Sequence, residues 1–200
     1  MTARFAREVP AGPPAGPPAG SSWPDDGVVA PYHLHVDGFL HTVAGAWIGD
    51  SLLTVLRDVI GVTSVKDACE QGRCGACSVL LDGRLVASCT VLAADANDAQ
   101  VSTVAGLRTA GPARAVRAAF LEEGAVQCGF CTPGFVVAVT DLLTRRPDAD
   151  EEEIRESLAG NICRCTGYGR ILAAIRTVQA ERGTLLSGDA PAPPHRGVGR

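Results

Sequence analysis

The sequence predicts an α+β fold in which a small mixed β-sheet comes first and a set of helices follows. Apolar residues alternate with polar ones at several places in the first half of the chain, and the apolar spacing becomes helical after about residue 112. Both ends of the 200-residue chain are rich in Pro and Gly. We therefore expect two small domains, at residues 29–104 and 112–184, between disordered tails at residues 1–28 and 187–200.

The first domain is predicted to open with a β-hairpin. Apolar and polar residues alternate over residues 32–36, and a Gly-containing turn separates them from a second strand at residues 39–43. A helix should follow, because Asp50 or Ser51 can cap it and apolar residues recur at helical spacing as far as Ile60.

A second hairpin is indicated by the dipeptide Asp82-Gly83, which favours a type I′ turn. Its strands are predicted at Val79–Leu81 and Leu85–Ser88. A further short strand near Val101–Val104 would complete a small mixed sheet with one helix across it.

The second domain is predicted to contain four helices with short connections. The first is Ala113–Glu123 and the fourth is Gly169–Arg182. The second has its N-cap at Thr132 and Pro133 at position N1, and it runs through Arg146. The third begins with a capping box of Asp150 and Glu153. Four short helices joined in this way suggest a compact four-helix bundle.

Composition excludes several classes of function. The net charge is −4 and basic residues do not cluster, which argues against a nucleic-acid partner. No apolar run is longer than that of Phe135–Val139, which is far shorter than the roughly 20 residues that span a bilayer, so we expect no membrane segment. No secretory or twin-arginine signal is visible near the start, so we expect a cytoplasmic protein. In that reducing compartment, eight Cys are better explained by metal ligation than by disulfides.

The eight Cys form two sets of four that follow the predicted domain boundary. The first quartet is Cys69, Cys74, Cys77 and Cys89, and the second quartet is Cys128, Cys131, Cys163 and Cys165. The C-x4-C-x2-C spacing of the first quartet is typical of a plant-type [2Fe-2S] cluster. Gly72 and Gly75 suit such a loop, because the backbone must turn tightly and pass close to the bridging sulfides.

Structural zinc is the main alternative for both quartets. Zinc usually takes paired C-x2-C motifs, which the first quartet does not have. The second quartet, with one C-x2-C pair and one C-x-C pair, leaves zinc open when it is considered alone. Both of its pairs lie just before predicted helices, where helix N-termini would favour a reduced, negatively charged cluster.

Three segments carry a family resemblance over residues 30–180. They are CEQGRCGACSVLLDGRLVASC at 69–89, QCGFCTPG at 127–134 and GNICRCTGYGRI at 160–171. The chain resembles the iron-sulfur subunit of the molybdenum hydroxylases, the superfamily of xanthine dehydrogenase, aldehyde oxidoreductase and carbon monoxide dehydrogenase.

The resemblance implies a β-grasp, ferredoxin-like N-terminal domain and a C-terminal four-helix bundle, each with one [2Fe-2S] cluster. It implies that the second quartet lies nearer a molybdopterin cofactor and the first quartet nearer FAD, both cofactors being on partner subunits. The expected assembly is a heterotrimer of this chain, a large molybdopterin-binding subunit and a medium FAD-binding subunit. A single heterotrimer and a dimer of heterotrimers are both open. This chain would then transfer electrons and have no substrate site of its own.

Two residues are predicted to contact the molybdopterin. The resemblance implies that the Gln127 amide binds the polar edge of the pterin and that the Cys165 sulfur lies against it. The local alternative is that Gln127 caps the preceding helix or bonds to its own loop.

Two other functions remain as alternatives, a zinc-stabilised interaction module and a stand-alone ferredoxin. The chain has neither a GxGxxG motif nor a P-loop, so FAD and the molybdenum cofactor are expected elsewhere.

Overall fold

The computed structural model describes residues 31–108 and 112–187. The predicted tails lie outside these residues, except that Ser187 is the last residue of a helix. Within the described part, a five-stranded mixed sheet precedes four longer helices, which confirms the α+β class.

The sheet has the strand order β2-β1-β5-β3-β4. Its strands are β1 (Tyr32–Val36), β2 (Phe39–Val43), β3 (Ser78–Leu81), β4 (Arg84–Ala87) and β5 (Gln100–Ser102). Strand β5 pairs parallel with β1 and antiparallel with β3, so it joins the two hairpins into one sheet. The three apolar residues of β1 are buried, as the alternating pattern predicts.

Both predicted hairpins are present. Asp82 and Gly83 have φ values of 48° and 76°, the two positive angles of a type I′ turn. In the first hairpin, Asp37 has φ 52°, and its carboxylate accepts bonds from the Thr103 backbone N–H at 2.7 Å and the Thr103 hydroxyl at 2.6 Å. This contact fixes the β1–β2 turn against the end of β5.

The helix across the sheet differs from its prediction. Ser51 caps it, and its Oγ accepts from the Thr54 N–H at 3.1 Å. Only α1 (Leu52–Thr54) is α-helical, and the chain continues as a π-helical segment, Val55–Val59. The Ile60 N–H bonds to the Val55 carbonyl five residues back, and this widening is not encoded in the apolar spacing.

Four helices follow in the second half. They are α2 (Ala113–Glu122), α3 (Thr132–Arg145), α4 (Glu151–Ser157) and α5 (Gly169–Ser187). Helix α2 packs against α3 and α5, α3 contacts α4, and buried residues of all four belong to one apolar core. The capping box of Asp150 and Glu153 is confirmed. That the four helices form a regular bundle stays a prediction.

The predicted N-cap of α3 is wrong by one residue. Cys131 holds this position with φ −78° and ψ −17°, and Thr132 is already helical. The first bond of the helix runs from the Phe135 N–H to the Cys131 carbonyl at 3.1 Å, because the backbone enters the helical region at the cysteine. A cysteine of the second quartet therefore lies at the start of α3.

The two halves are in direct contact. Val137 of α3 is fully buried with Leu107 and Ala113, and Leu80 and Leu85 of the β3–β4 hairpin pack against this group. Helix α3 contacts both β3 and β4. Among residues 31–108 and 112–187, no helix has the length and apolar character needed to cross a bilayer.

Candidate metal centres

The first quartet lies on a loop before β3 and at the end of β4. Cys69, Cys74 and Cys77 belong to the loop, and Cys89 lies in the short 3-10 helix Ser88–Thr90 that follows β4. Cys77 is buried and the other three are partly buried. The β3–β4 hairpin therefore brings a cysteine twelve positions beyond Cys77 back to the loop.

Backbone N–H groups of this loop point at the thiol sulfurs. The Gly72 N–H donates to Cys89 Sγ at 3.2 Å, and the N–H groups of Gln71 and Arg73 donate to Cys69 Sγ at 3.5 and 3.4 Å. Gly72 has φ 68°, a conformation that glycine adopts without steric cost. Such donors stabilise negative charge on sulfur.

The second quartet is built from two turns. Cys128 and Cys131 lie directly before α3, and Cys163 and Cys165 lie in the turn before α5. Cys163 is buried and Cys131 is partly buried, whereas Cys128 and Cys165 are exposed. One side of this quartet therefore reaches the protein surface.

The thiols of each quartet lie close enough to interact. In the first quartet, Cys69 interacts with Cys74. Cys89 interacts with both Cys77 and Cys69. In the second quartet, Cys131 interacts with Cys163 and Cys128, and Cys165 with Cys128 and Cys163. Among the described residues, no three His, Cys, Asp or Glu side chains form a site for a single metal ion. Four neighbouring thiols suit a two-iron cluster, which takes four Cys ligands.

The thiol pKa values follow from burial and local donors. The Gln71 N–H, with further loop donors, lowers the pKa of Cys69 to about 6. Burial, with the neighbouring Cys77 thiol, raises the pKa of Cys89 to about 12. Burial, with Cys163, likewise raises the pKa of Cys131 to about 12. Bound iron would favour the thiolate at every one of these positions, because a cation compensates the buried negative charge.

Gln127 is exposed, and no hydrogen bond joins its side chain to another described residue. The local alternative, a cap or a bond within its own loop, therefore has no support among these residues. The exposed apolar side chains Phe130 and Ile162 are close in sequence to the exposed Cys128 and Cys165.

Sequence reasoning missed several residues that surround the quartets. The Thr166 hydroxyl and N–H both donate to Cys163 Sγ, at 3.1 and 3.5 Å. The buried Asn161 donates from Nδ2 to the Gly75 carbonyl at 3.4 Å. The segment GNICRCTGYGRI contains both residues, but only their three-dimensional neighbours reveal what they contact.

Two family profiles cover the described chain almost completely. Residues 34–105 match the 2Fe-2S iron-sulfur cluster binding domain, and residues 103–176 match the [2Fe-2S] binding domain. The nicotinate dehydrogenase small FeS subunit of Eubacterium barkeri is 46% identical over 125 residues, which are 62% of this chain and 80% of that protein. The xanthine dehydrogenase iron-sulfur-binding subunit of Escherichia coli O157:H7 is 44% identical over 68% of this chain and 84% of its own length.

The chain belongs to the iron-sulfur subunits of the molybdenum hydroxylases. It is therefore a subunit of an oxidoreductase complex, with two domains of [2Fe-2S]-binding type. The structure of quinoline 2-oxidoreductase from Pseudomonas putida 86 contains a similar chain, with a TM-score of 0.70 and 32% sequence identity. The match covers 82% of this iron-sulfur subunit and 100% of that chain. In aldehyde oxidoreductase from Desulfovibrio gigas, the similar region is 18% of a longer chain, with a TM-score of 0.69 and 34% identity over 82% of this subunit.

Proposed function

We propose that this subunit carries electrons one at a time from a molybdopterin centre, through two [2Fe-2S] clusters, to FAD. The four thiols of each quartet are the proposed ligands of one cluster, and the domains at residues 29–104 and 112–184 are the proposed carriers. When bound, the clusters supply reversible one-electron chemistry, and the chain supplies ligands, burial and hydrogen bonds.

A direct contact between the two cysteine loops carries the proposal. The Ile162 N–H donates to the carbonyl oxygen of Cys74 at 3.0 Å. Cys74 belongs to the first quartet, and Ile162 directly precedes Cys163 of the second quartet. This hydrogen bond thus joins a proposed ligand residue of one cluster to the residue next to a ligand of the other, which favours electron transfer between them.

The exposed side of the second quartet suits a molybdopterin subunit. Cys128 and Cys165 reach the surface there, and the Gln127 amide is free to bind the polar edge of a pterin. Phe130 and Ile162 are 46% and 52% exposed and offer apolar surface that a partner would cover.

The first quartet adjoins a surface depression. A depression of about 370 Å³ lies next to Cys89, and polar and acidic side chains line it, among them Asp50, Asp58, Asp67 and Glu70. We assign the FAD-binding subunit to this side, which completes a heterotrimer with the large subunit. The relatives are named for different substrates, including nicotinate, xanthine and caffeine, so we place substrate recognition on the large subunit.

The two alternatives fit the structure less well. A stand-alone ferredoxin would bury or lack large apolar patches, yet Phe39, Leu40, Trp47 and Ile48 are all more than half exposed. A zinc-stabilised interaction module usually takes paired C-x2-C motifs, whereas the first quartet has an x4 spacing and a single distant fourth Cys.

Removing one cluster at a time from the assembled complex tests this path. Cys89→Ser should remove the first cluster, so that substrate reduces the second cluster but not FAD. Cys131→Ser should remove the second cluster, so that substrate reduces neither the remaining cluster nor FAD. Dithionite, which needs no internal path, serves as the control and should reduce whichever cluster remains. Substrate-driven reduction of FAD at an unchanged rate in the Cys89→Ser complex would contradict the proposal.

A further inference from the structure

One thiol of the second quartet accepts a hydrogen bond from a side-chain hydroxyl. Thr166 Oγ1 lies 3.1 Å from Cys163 Sγ, and the Thr166 N–H lies 3.5 Å from the same sulfur. Cys163 is buried, so water does not compete strongly for this contact.

The surrounding backbone determines where the hydroxyl proton points. The Tyr168 N–H donates to Thr166 Oγ1 at 3.2 Å, so this oxygen acts as an acceptor toward Tyr168. A hydroxyl has a single proton to donate. Among the described residues, the remaining partner of Oγ1 is Cys163 Sγ, so the proton is directed at the sulfur.

Tyr168 is itself held in place. Its backbone has φ 66°, and its hydroxyl accepts from the Cys163 N–H at 3.2 Å. Its ring packs edge-on against Phe135 of α3, with ring centroids 6.4 Å apart. Cys163, Thr166 and Tyr168 therefore form a closed ring of hydrogen bonds, and the chain orients the donor before any electron arrives.

The first quartet has no equivalent among the described residues. The sulfurs of Cys69 and Cys89 accept from backbone N–H groups, and no side-chain hydroxyl of the described residues donates to them. Thr90 lies directly beside Cys89, but its hydroxyl donates to the Ala87 carbonyl at 3.0 Å. Thr90 and Thr166 are thus two threonines near proposed ligands, of which only Thr166 bonds to sulfur.

We propose that Thr166 is a positioning residue that raises the reduction potential of the second cluster through its hydrogen bond to the Cys163 sulfur. The inference rests on the proposed function, since it requires a cluster at the second quartet. One-electron reduction adds one negative charge, part of which resides on the thiolate sulfurs. The hydroxyl donor stabilises that charge more in the reduced state than in the oxidised state and takes no part in proton transfer.

The test is a dithionite titration of the complete complex, followed by electron paramagnetic resonance. The signal of the second cluster is the one that Cys131→Ser abolishes. Thr166→Val keeps the side-chain shape and removes the hydroxyl, and it should lower the equilibrium constant for reduction of that cluster about tenfold, which is about 59 mV. Thr166→Ser should restore most of the potential, and Thr90→Val should leave the potentials of both clusters unchanged.

Iron and acid-labile sulfide analyses separate the possible failures. An unchanged potential in a Thr166→Val complex with full iron and sulfide would overturn the role of Thr166 and leave the proposed function intact. An unaltered complex that lacks iron at the second quartet would overturn the proposed function itself. If the Thr166→Val complex does not assemble, Thr166→Ala removes the hydroxyl with a smaller side chain. The proposal then requires the same tenfold decrease in the equilibrium constant for reduction of the second cluster in Thr166→Ala.

Discussion

Gly134 in the first turn of α3 lies directly against the carbonyl oxygen of Gly75 in the first cysteine loop. A Cβ at Gly134 would stand 2.0 Å from that oxygen and 3.2 Å from Ala76 Cα. Gly75 has φ 67°, and a Cβ there would lie 2.4 Å from Asn161 Nδ2. Two glycines therefore allow the domains to approach closely at the same place where the Ile162 and Cys74 backbones are bonded.

Gly134→Ala should push the two domains apart. The methyl group meets backbone atoms, which cannot rotate away, so we expect a loss of roughly 1–3 kcal/mol in the free energy of unfolding. Chemical denaturation measures this, and magnetic coupling between the reduced clusters should weaken in parallel. Gly160→Ala is the matched control, because nothing lies within 4 Å of its added Cβ. Equal stability of the two variants would show that the close approach of Gly134 is not needed.

Cys74→Ser should remove one cluster and destabilise mainly the sheet domain. A domain of this size obtains only roughly 3–5 kcal/mol from its apolar core, so a cluster adds a large share of its stability. Hydrogen exchange should show faster opening of β1, β3 and β5 than of α3. A variant with both visible clusters and unchanged thermal stability would show that Cys74 is not a ligand.

Gln127→Ala should leave both clusters assembled but slow their reduction by substrate in the complex. The loss of one polar contact at the pterin predicts a rate roughly 3- to 10-fold lower, while reduction by dithionite stays normal. Gln71→Ala is the control, because it removes the same side chain beside the other quartet. An unaffected substrate-driven rate would place the pterin contact on another residue.

Local signals in the sequence predict most of the fold. The Asp82-Gly83 turn, the Ser51 cap and the capping box of Asp150 with Glu153 depend on residues close in sequence, and all three are present. The π-helical segment Val55–Val59 and the N-cap at Cys131 were not predicted, because apolar spacing does not specify backbone hydrogen bonding.

The cysteine spacing predicts the two quartets, but not how the domains meet. The contacts of Gly75 with Gly134 and Asn161 join residues more than fifty positions apart, for which one sequence gives no local signal. Thr166 was missed for a related reason. Its hydroxyl meets Cys163 Sγ in a turn where Gly167 and Tyr168 both have positive φ, and residue spacing alone does not specify such a turn.

Metal analysis of the purified subunit tests the central claim most directly. Two [2Fe-2S] clusters require about 4 iron and about 4 acid-labile sulfide per chain, with two distinct signals on reduction, and all eight Cys are then ligands. A content of about 2 iron and about 2 sulfide with one zinc per chain would contradict the account, because the second quartet would then be a structural zinc site.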